Sequence, residues 1–375
     1  MSSAVLSKHL MIVIHSLGSG GAERVAVQLA NWWVQRGWTV SVVTQADSSH
    51  DAYPLPKAVQ RFVLGTQKNT SNVASALWAN LQRVWRLRRL IRRQRPDIVL
   101  GMMSTASILC VLAAKGLPCR VFASEHRHPP EQAINPLWQR LRHWAYPRAE
   151  RVIALTSGTA QWLENTMPSS KTAVIPNAVQ WPLALNDPAI DPSKLPQRNR
   201  LLAVGRLHPV KGFDILIDAF AAIAAFFPTW DLVILGEGPE RESLEAQIEA
   251  NNLADRVSLP GWVGNVGQWF ESADLYVLSS RTEGLSNTLL EAMASGLPVV
   301  AFDCETGPRE IIRPDIDGVL VNPVGDAEAL AAHLSDLMAH EEKRQAYARR
   351  AIDVRDRFSS TRVMALWHQL FSDLR

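Results

Sequence analysis

Three cysteines in 375 residues are too few and too scattered for a disulfide framework or a cysteine-rich zinc site. Cys110, Cys119 and Cys304 read as reduced thiols of a cytosolic protein. Long apolar runs are missing too. The longest, Ala219–Phe227, has nine residues, about half of the roughly 20 that cross a bilayer. The first eight residues carry neither the basic start nor the apolar stretch of a secretory signal. The chain is therefore expected in the cytoplasm. G-x-S-x-G, H-E-x-x-H and Walker patterns do not occur.

The composition is that of a folded protein, 47% hydrophobic and 20% charged. Its length predicts two or three domains. The formal charge of +3 conceals a split. Residues 1–185 hold 21 Lys and Arg against 8 Asp and Glu, while residues 186–375 hold 18 against 28. Opposed halves point to two domains with different partners. Nine of the 13 tryptophans fall in the basic half.

The densest basic stretch, RVWRLRRLIRRQR at 83–95, has seven arginines in thirteen residues. Leu81, Val84, Trp85, Leu87, Leu90 and Ile91 recur at three-to-four spacing, which predicts an amphipathic helix. It reads either as a helix adsorbing to an anionic membrane face or as a surface helix packed on a sheet with a solvated basic side. Nucleic acid fits less well, because the other half is acidic and no recognition motif occurs.

Apolar, β-branched runs alternate with helical patterns along the chain, which predicts parallel sheets wrapped by helices. NDPAIDPSKLPQRN at 186–199 breaks the rhythm with three prolines and reads as a linker. The expected division is an N-terminal Rossmann-like domain at 1–185, the linker, a second Rossmann-like domain at 200–356, and a C-terminal helix at 357–375 packing near the domain junction. A cleft is expected between the two doubly wound domains.

Four stretches carry chemistry. GSGGAE at 18–23 follows the first strand and opens a helix, so its amides are free to meet an anion. It departs from a dinucleotide fingerprint, because Glu23 stands where the third glycine belongs and would repel a pyrophosphate. In GRLHPVKG at 205–212, Arg206 ends a strand and Lys211 is read at the start of a long helix. A cation is unfavourable at a helix N-terminus, so the pair is explained by an anion such as a diphosphate held between them. In EGLSNTLLEAMASGLP at 283–298, Ser286 is the predicted N-cap and Gly296 the residue after the helix. Glu283 then lies on the preceding loop and Glu291 inside the helix. Two carboxylates with free amides between them suit a polyhydroxylated phosphate ester, although a capped surface helix would carry the same residues. The fourth, SEHRHPP at 124–130, puts His126 at a strand end; the spacing does not suit a metal.

Taken in order, SGGAERV at 19–25, IPNAV at 175–179, VGRLHPVKGFDILIDAF at 204–220, LGEGPER at 235–241, PGWVGNV at 260–266 and SSRTEGLSNTLLEAMASGLPVVAFDCETGPREII at 279–312 resemble retaining glycosyltransferases of the GT-B fold, family 4 group. The E-x7-E pair after a G-R-x4-K-G pattern is the most specific part, and Gly307–Glu310 resembles the group's GP-x-E element. The resemblance implies that Arg206 and Lys211 bind the diphosphate of a nucleotide sugar. Glu283 would contact the sugar, with backbone amides of Gly284, Leu285, Ser286 and Asn287 nearby. Glu291 would hold the ribose, and the Trp262–Val263 backbone would meet the base. Gly20 and Gly21 would face the phosphate, Glu23 the acceptor, and His126 the sugar. His126, Arg206, Lys211 and Glu283 are the expected catalytic residues, with no metal and no cofactor beyond the sugar-nucleotide substrate.

The S-G-G-A-E variant resembles enzymes of bacterial surface polysaccharides and lipid-linked oligosaccharides. The expectation is therefore transfer of a hexose or N-acetylhexosamine from a UDP-sugar to a lipid-linked or polysaccharide acceptor, at the inner face of the cytoplasmic membrane. The alternatives are a GDP-mannose donor, a GT-B-like epimerase, or a non-catalytic nucleotide-sugar binding module.

Overall fold

The computed structural model describes residues 8–18, 20–49, 51–65, 73–132 and 134–372. Residues 1–7, Ser19 of the glycine loop and Leu374 of the last expected helix lie outside them. The chain divides into two compact units, Met1–Pro176 and Asn177–Arg375.

In the first unit the order is β1 (His9–Ile14), α1 (Gly21–Val34), β2 (Thr39–Thr44), β3 (Gln60–Val63), α2 (Val73–Gln94), β4 (Ile98–Met102) and α3 (Ser104–Ala114). It continues with β5 (Arg120–Glu125), α4 (Pro136–Ala145), β6 (Arg151–Ala154), α5 (Ser157–Thr166) and β7 (Thr172–Val174). The seven strands lie in the order β3-β2-β1-β4-β5-β6-β7, and every pairing is parallel. Central strands covered by helices on both faces need continuous apolar runs. Leu10–Ile14 and Ile98–Met102 supply them, with every side chain buried.

The second unit repeats the scheme. Its elements are β8 (Asn199–Val204), α6 (Phe213–Ile223), β9 (Trp230–Leu235), α7 (Arg241–Ala250), β10 (Val257–Gly261), α8 (Val266–Glu271), β11 (Leu275–Leu278) and α9 (Asn287–Ala294). Then come β12 (Val299–Phe302), α10 (Pro308–Ile311), β13 (Gly318–Val321), α11 (Ala327–Ala339), α12 (Glu341–Ala351), α13 (Val354–Arg357) and α14 (Ser360–Ser372). The sheet runs β10-β9-β8-β11-β12-β13, again all parallel. Its core gathers Leu201, Leu216, Phe220, Leu232, Val300 and Leu334. Strand order reverses between β1 and β4 in one sheet and between β8 and β11 in the other. Ligands of open α/β sheets bind outside the strand C-termini at such reversals. Two Rossmann-like parallel sheets are what the sequence predicts.

Three expectations are corrected. The long helix expected to begin at Lys211 stops at Ile223, within the apolar run Ala219–Phe227, and Phe226 is exposed in the turn before Pro228. The Pro-rich stretch at 186–199 is no free tether at its start. Asn186 donates to the Gly264 carbonyl at 3.1 Å, Gly264 donates to Pro188 at 2.8 Å, and the Asn265 amide pairs with both Ile190 backbone groups at 3.0 and 2.9 Å.

The third concerns α2, whose apolar residues do not share one face. Leu87 and Ile91 are buried, and Val84 and Leu90 pack on the same core. Trp78, Leu81 and Trp85 point outward, each at least 60% exposed. Nor are all the arginines solvated. Arg88 donates to the Ala113 and Lys115 carbonyls at 2.8 and 2.7 Å, closing the end of α3, and Arg86 donates to the Leu64 carbonyl.

Candidate active site

The site is assembled by the two loops that flank the β8/β11 reversal. After β8 the chain passes Gly205 and Arg206 and makes a 3-10 turn at Pro209–Lys211, capped by the His208 imidazole accepting from Val210 N–H at 3.3 Å. Gly212 follows with φ +62° and starts α6. Lys211 is thus on the turn that precedes the helix and not in it. Its ammonium donates to Glu283 Oε1 at 2.6 Å.

The β11 loop closes against that turn. Ser279 Oγ donates to the Lys211 carbonyl at 2.9 Å, and Arg281 N–H donates to the Val210 carbonyl at 2.8 Å. The Arg281 guanidinium grips both Asp214 carboxylate oxygens, at 2.9 and 2.7 Å. Those bonds hold the Asp214 carboxyl below its usual range. Glu283 also accepts from Ser280 Oγ at 2.7 Å, and its carbonyl accepts from Thr306 Oγ1 at 2.6 Å. The carboxylate is therefore aimed by three neighbours, and Oε1 already has two donors.

α9 begins where predicted. Ser286 Oγ accepts from Leu289 N–H at 3.4 Å, while Gly296 beyond the helix adopts φ +84°. Glu291 sits inside α9, 4% exposed. The Tyr276 hydroxyl donates to Thr288 Oγ1 at 2.9 Å. Arg206 is exposed. One exposed guanidinium, one fixed ammonium and the opening of an eight-residue helix are groups that can receive an anion, and Glu283 adds a carboxylate beside the ammonium.

Trp262 is half-exposed and Val263 buried, just past β10 at the sheet edge. The segment 186–190 fastens their loop through Gly264 and Asn265. In the first unit Gly20 caps α1, and the Glu23 carboxylate folds back over it so closely that a Cβ at Gly20 would collide with Glu23 Oε2. Glu23 therefore occupies the start of α1, which disfavours a phosphate there and favours a hydroxyl donor.

His126 follows β5. Its Nε2 meets Ser124 Oγ at 2.9 Å, and its Nδ1 is buried with no partner among the described residues. Burial lowers its pKa to about 4, so the ring is neutral at pH 7 and can donate or accept. The sign is testable. A depressed histidine pKa means that the unfolded chain takes up the proton first as pH falls, so stability drops from about pH 6.5 down to about 4. The adjacent Glu125 is buried against Ser104, Tyr146 and Gln132, and burial raises its carboxyl pKa. That gives a slope of opposite sign. Comparing wild type with His126→Gln cancels the Glu125 contribution. Melts should show wild type losing on the order of 2–3 kcal/mol relative to the variant between pH 7 and pH 4; parallel curves would refute the buried neutral ring.

Reading the sequence missed the groups that support the site. Ser279, Ser280 and Thr306 lie inside quoted motifs, but nothing in their spacing reveals that their hydroxyls hold Lys211 and Glu283. Asn177, which reaches the first residue of α9, was missed as well.

The fold and this geometry define a GT-B glycosyltransferase. The chain belongs to that class: residues 19–180 match Glycosyltransferase Family 4 and residues 189–354 match Glycosyl transferases group 1. It is 32% identical over 291 residues to an exopolysaccharide phosphotransferase of Streptomyces coelicolor, covering 77% of this chain but only 30% of that longer protein. It is 25% identical over 368 residues to a Campylobacter jejuni α-1,4-N-acetyl-D-galactosaminyltransferase, named for a diphospho-undecaprenol-linked substrate, covering 98% and 99% of the two chains. The structure of Anabaena HepE in complex with UDP superposes with a TM-score of 0.79 at 22% identity, over 98% of this chain and all of that one.

Proposed function

We propose that this protein transfers a hexose or N-acetylhexosamine, with retention, from a UDP-sugar to a lipid-linked or polysaccharide acceptor in bacterial cell-surface glycan synthesis. The observation that carries the proposal is the Lys211–Glu283 contact of 2.6 Å beside the opening of α9. It puts a diphosphate-binding cation and a hydroxyl-binding carboxylate at one point. UDP in the HepE structure supports the nucleotide. The lipid diphosphate and the α-linkage in the Campylobacter enzyme's name support the acceptor and the stereochemistry.

In this reading Arg206 and Lys211 hold the diphosphate and stabilise the charge that grows on it, the largest electrostatic contribution to the rate. Glu283 orients the sugar, Glu291 takes the ribose diol, and the Trp262–Val263 backbone meets the base. His126, neutral, faces the sugar, and Glu23 takes an acceptor hydroxyl. The anomeric carbon–diphosphate oxygen bond breaks and the acceptor oxygen bonds to that carbon on the same face. The acceptor proton passes to the departing diphosphate oxygen, so no protein base is required. A panel of UDP-glucose, UDP-galactose, UDP-N-acetylglucosamine, UDP-N-acetylgalactosamine and GDP-mannose, read by thermal shift and nucleoside-diphosphate release, tests this. A shift with GDP-mannose alone overturns the UDP donor, and binding without any release overturns the enzyme.

The outward face of α2 is proposed to bring the protein to an anionic bilayer, where lipid-linked acceptors reside. No described helix is long and apolar enough to cross a membrane. Trp78, Leu81 and Trp85 form an exposed stripe that runs on into exposed Arg89 and Arg92. Apolar side chains entering the interface gain about 2 kcal/mol each, and basic residues near anionic lipid about 1 kcal/mol each. Trp78→Ser with Trp85→Ser should cut flotation on vesicles containing phosphatidylglycerol at least about tenfold, with unchanged melting. Arg89→Gln with Arg92→Gln should cut it more at low salt than at high salt. Equal flotation of all three proteins removes the membrane face.

A further inference from the structure

The IPNAV stretch at 175–179 contributes to the family resemblance, yet no substrate contact is assigned to any of its residues. Asn177 is its centre and the first residue of the second unit. The segment is pinned nearby, where Val179 N–H donates to the Phe358 carbonyl at 2.8 Å. Asn177 itself is 4% exposed. Its Nδ2 donates to Asn287 Oδ1 at 3.0 Å, and Asn287 is the first residue of α9. So a side chain 110 positions away in sequence sets the amide at the opening of the helix that carries the proposed donor site.

The other end of the same carboxamide is unmatched. Asn177 Oδ1 is buried and accepts from no group among the described residues. Buried amide oxygens are nearly always paired, because leaving one without a donor costs roughly 1–3 kcal/mol. An atom that can only accept asks for a partner that donates. The diphosphate has no proton to give at neutral pH, and the base is assigned to the Trp262–Val263 backbone beyond β10. What remains of a nucleotide sugar is its hydroxyls.

We infer that Asn177 belongs to the donor site: its carboxamide oxygen accepts a hydrogen bond from a hydroxyl of the sugar being transferred, while its Nδ2 fixes Asn287. This rests on the reading that the sugar lies at the opening of α9. It adds a second contact to the polyol, opposite in kind to a surface cation and built from a rigid, buried group, which is how a site discriminates between sugars differing at one hydroxyl.

The test measures UDP and the UDP-sugar from the panel above by calorimetry, with kcat and KM, for wild type, Asn177→Ala, Asn177→Asp and Lys211→Ala. Asn177→Ala should bind UDP within about twofold of wild type, yet bind the UDP-sugar about tenfold more weakly and raise its KM. Asn177→Asp, which keeps an acceptor oxygen but loses the Nδ2 donor to Asn287, should recover part of that loss. Among deoxy analogues of the sugar nucleotide, one should lose affinity for wild type but not for Asn177→Ala, identifying the hydroxyl. Equal weakening of UDP and UDP-sugar would reduce Asn177 to a prop for α9 and overturn the contact, as would no weakening at all. Unchanged binding by Lys211→Ala would overturn the donor site itself, a separate result from failure of the Asn177 variants alone.

Discussion

Lys211→Ala should lower kcat for nucleoside-diphosphate release by about a thousandfold. Removing one preorganised donor from a developing negative charge typically costs 10²–10³, and here the group lost is a full cation. The ammonium is not floating: Glu283 holds it at 2.6 Å, and Ser279 holds the carbonyl of the same residue. It is therefore in place before the donor arrives. Its alanine variant also strands the Glu283 carboxylate, whose side chain is 10% exposed. Ser280 still donates to it, so the stability loss should be about 1–2 kcal/mol, less than the 3–5 kcal/mol of a fully buried pair. Lys211→Arg retains the charge but puts a longer, planar guanidinium where a compact ammonium meets Glu283 at 2.6 Å, and should fall between. Release kinetics together with melting curves separate the two effects. A Lys211→Ala enzyme within about threefold of wild-type kcat, melting only a few degrees lower, would show that the diphosphate is stabilised elsewhere.

Much of this site was legible because its local signals agree. Ser286 caps, Gly296 terminates, and the apolar positions between them fit one helical face, so α9 follows from sequence to within a residue. The Lys211–Glu283 partnership was not legible, because the residues are 72 positions apart. Only the parallel pairing of β8 with β11, Leu275 beside Leu201 and Tyr276 beside Leu202, brings their loops together. Strand order is a property of the whole sheet, and local periodicity does not encode it.

The error over α2 has a geometric origin. At roughly 100° per residue, Val84, Leu87, Leu90 and Ile91 fall on one side of the helix. Leu81 and Trp85 are centred roughly 130° away, with Trp78, Arg89 and Arg92 near them. A count of apolar residues at three-to-four spacing merges the two stripes. Only the packed sheet shows which one is covered, and the leftover stripe is what makes the membrane reading sharper than composition alone allows. Conversely, the tryptophans of the basic half are not all surface groups, since Trp33 is fully buried and packs on Trp38 at 4.0 Å.

Gly212→Ala should destabilise the second unit strongly for the addition of a single methyl. Gly212 has φ +62° and ψ +30°, a conformation that costs an L-residue roughly 1–2 kcal/mol. Its α-carbon also faces the Ser279 carbonyl, and a Cβ there would overlap that oxygen, which is backbone and cannot swing aside. Moving it means pulling the β11 loop off the Lys211 turn and breaking the Ser279–Lys211 and Arg281–Val210 bonds. The total should be about 3–4 kcal/mol, or roughly 8–14 °C in the melting of this unit. Gly296 supplies the control. It has φ +84°, but its Cβ would meet nothing nearer than Ile352 Cγ2 at 3.7 Å, so Gly296→Ala carries only the conformational cost of about 1 kcal/mol. The difference between the two variants isolates the loop-to-loop collision. Because that collision displaces Lys211 and Glu283 together, Gly212→Ala should also lose UDP affinity at temperatures where it is still folded, and Gly296→Ala should not. Equal melting shifts for the two would mean that the Lys211 turn and the β11 loop are not in contact, and the preorganised anion site would lose its physical basis.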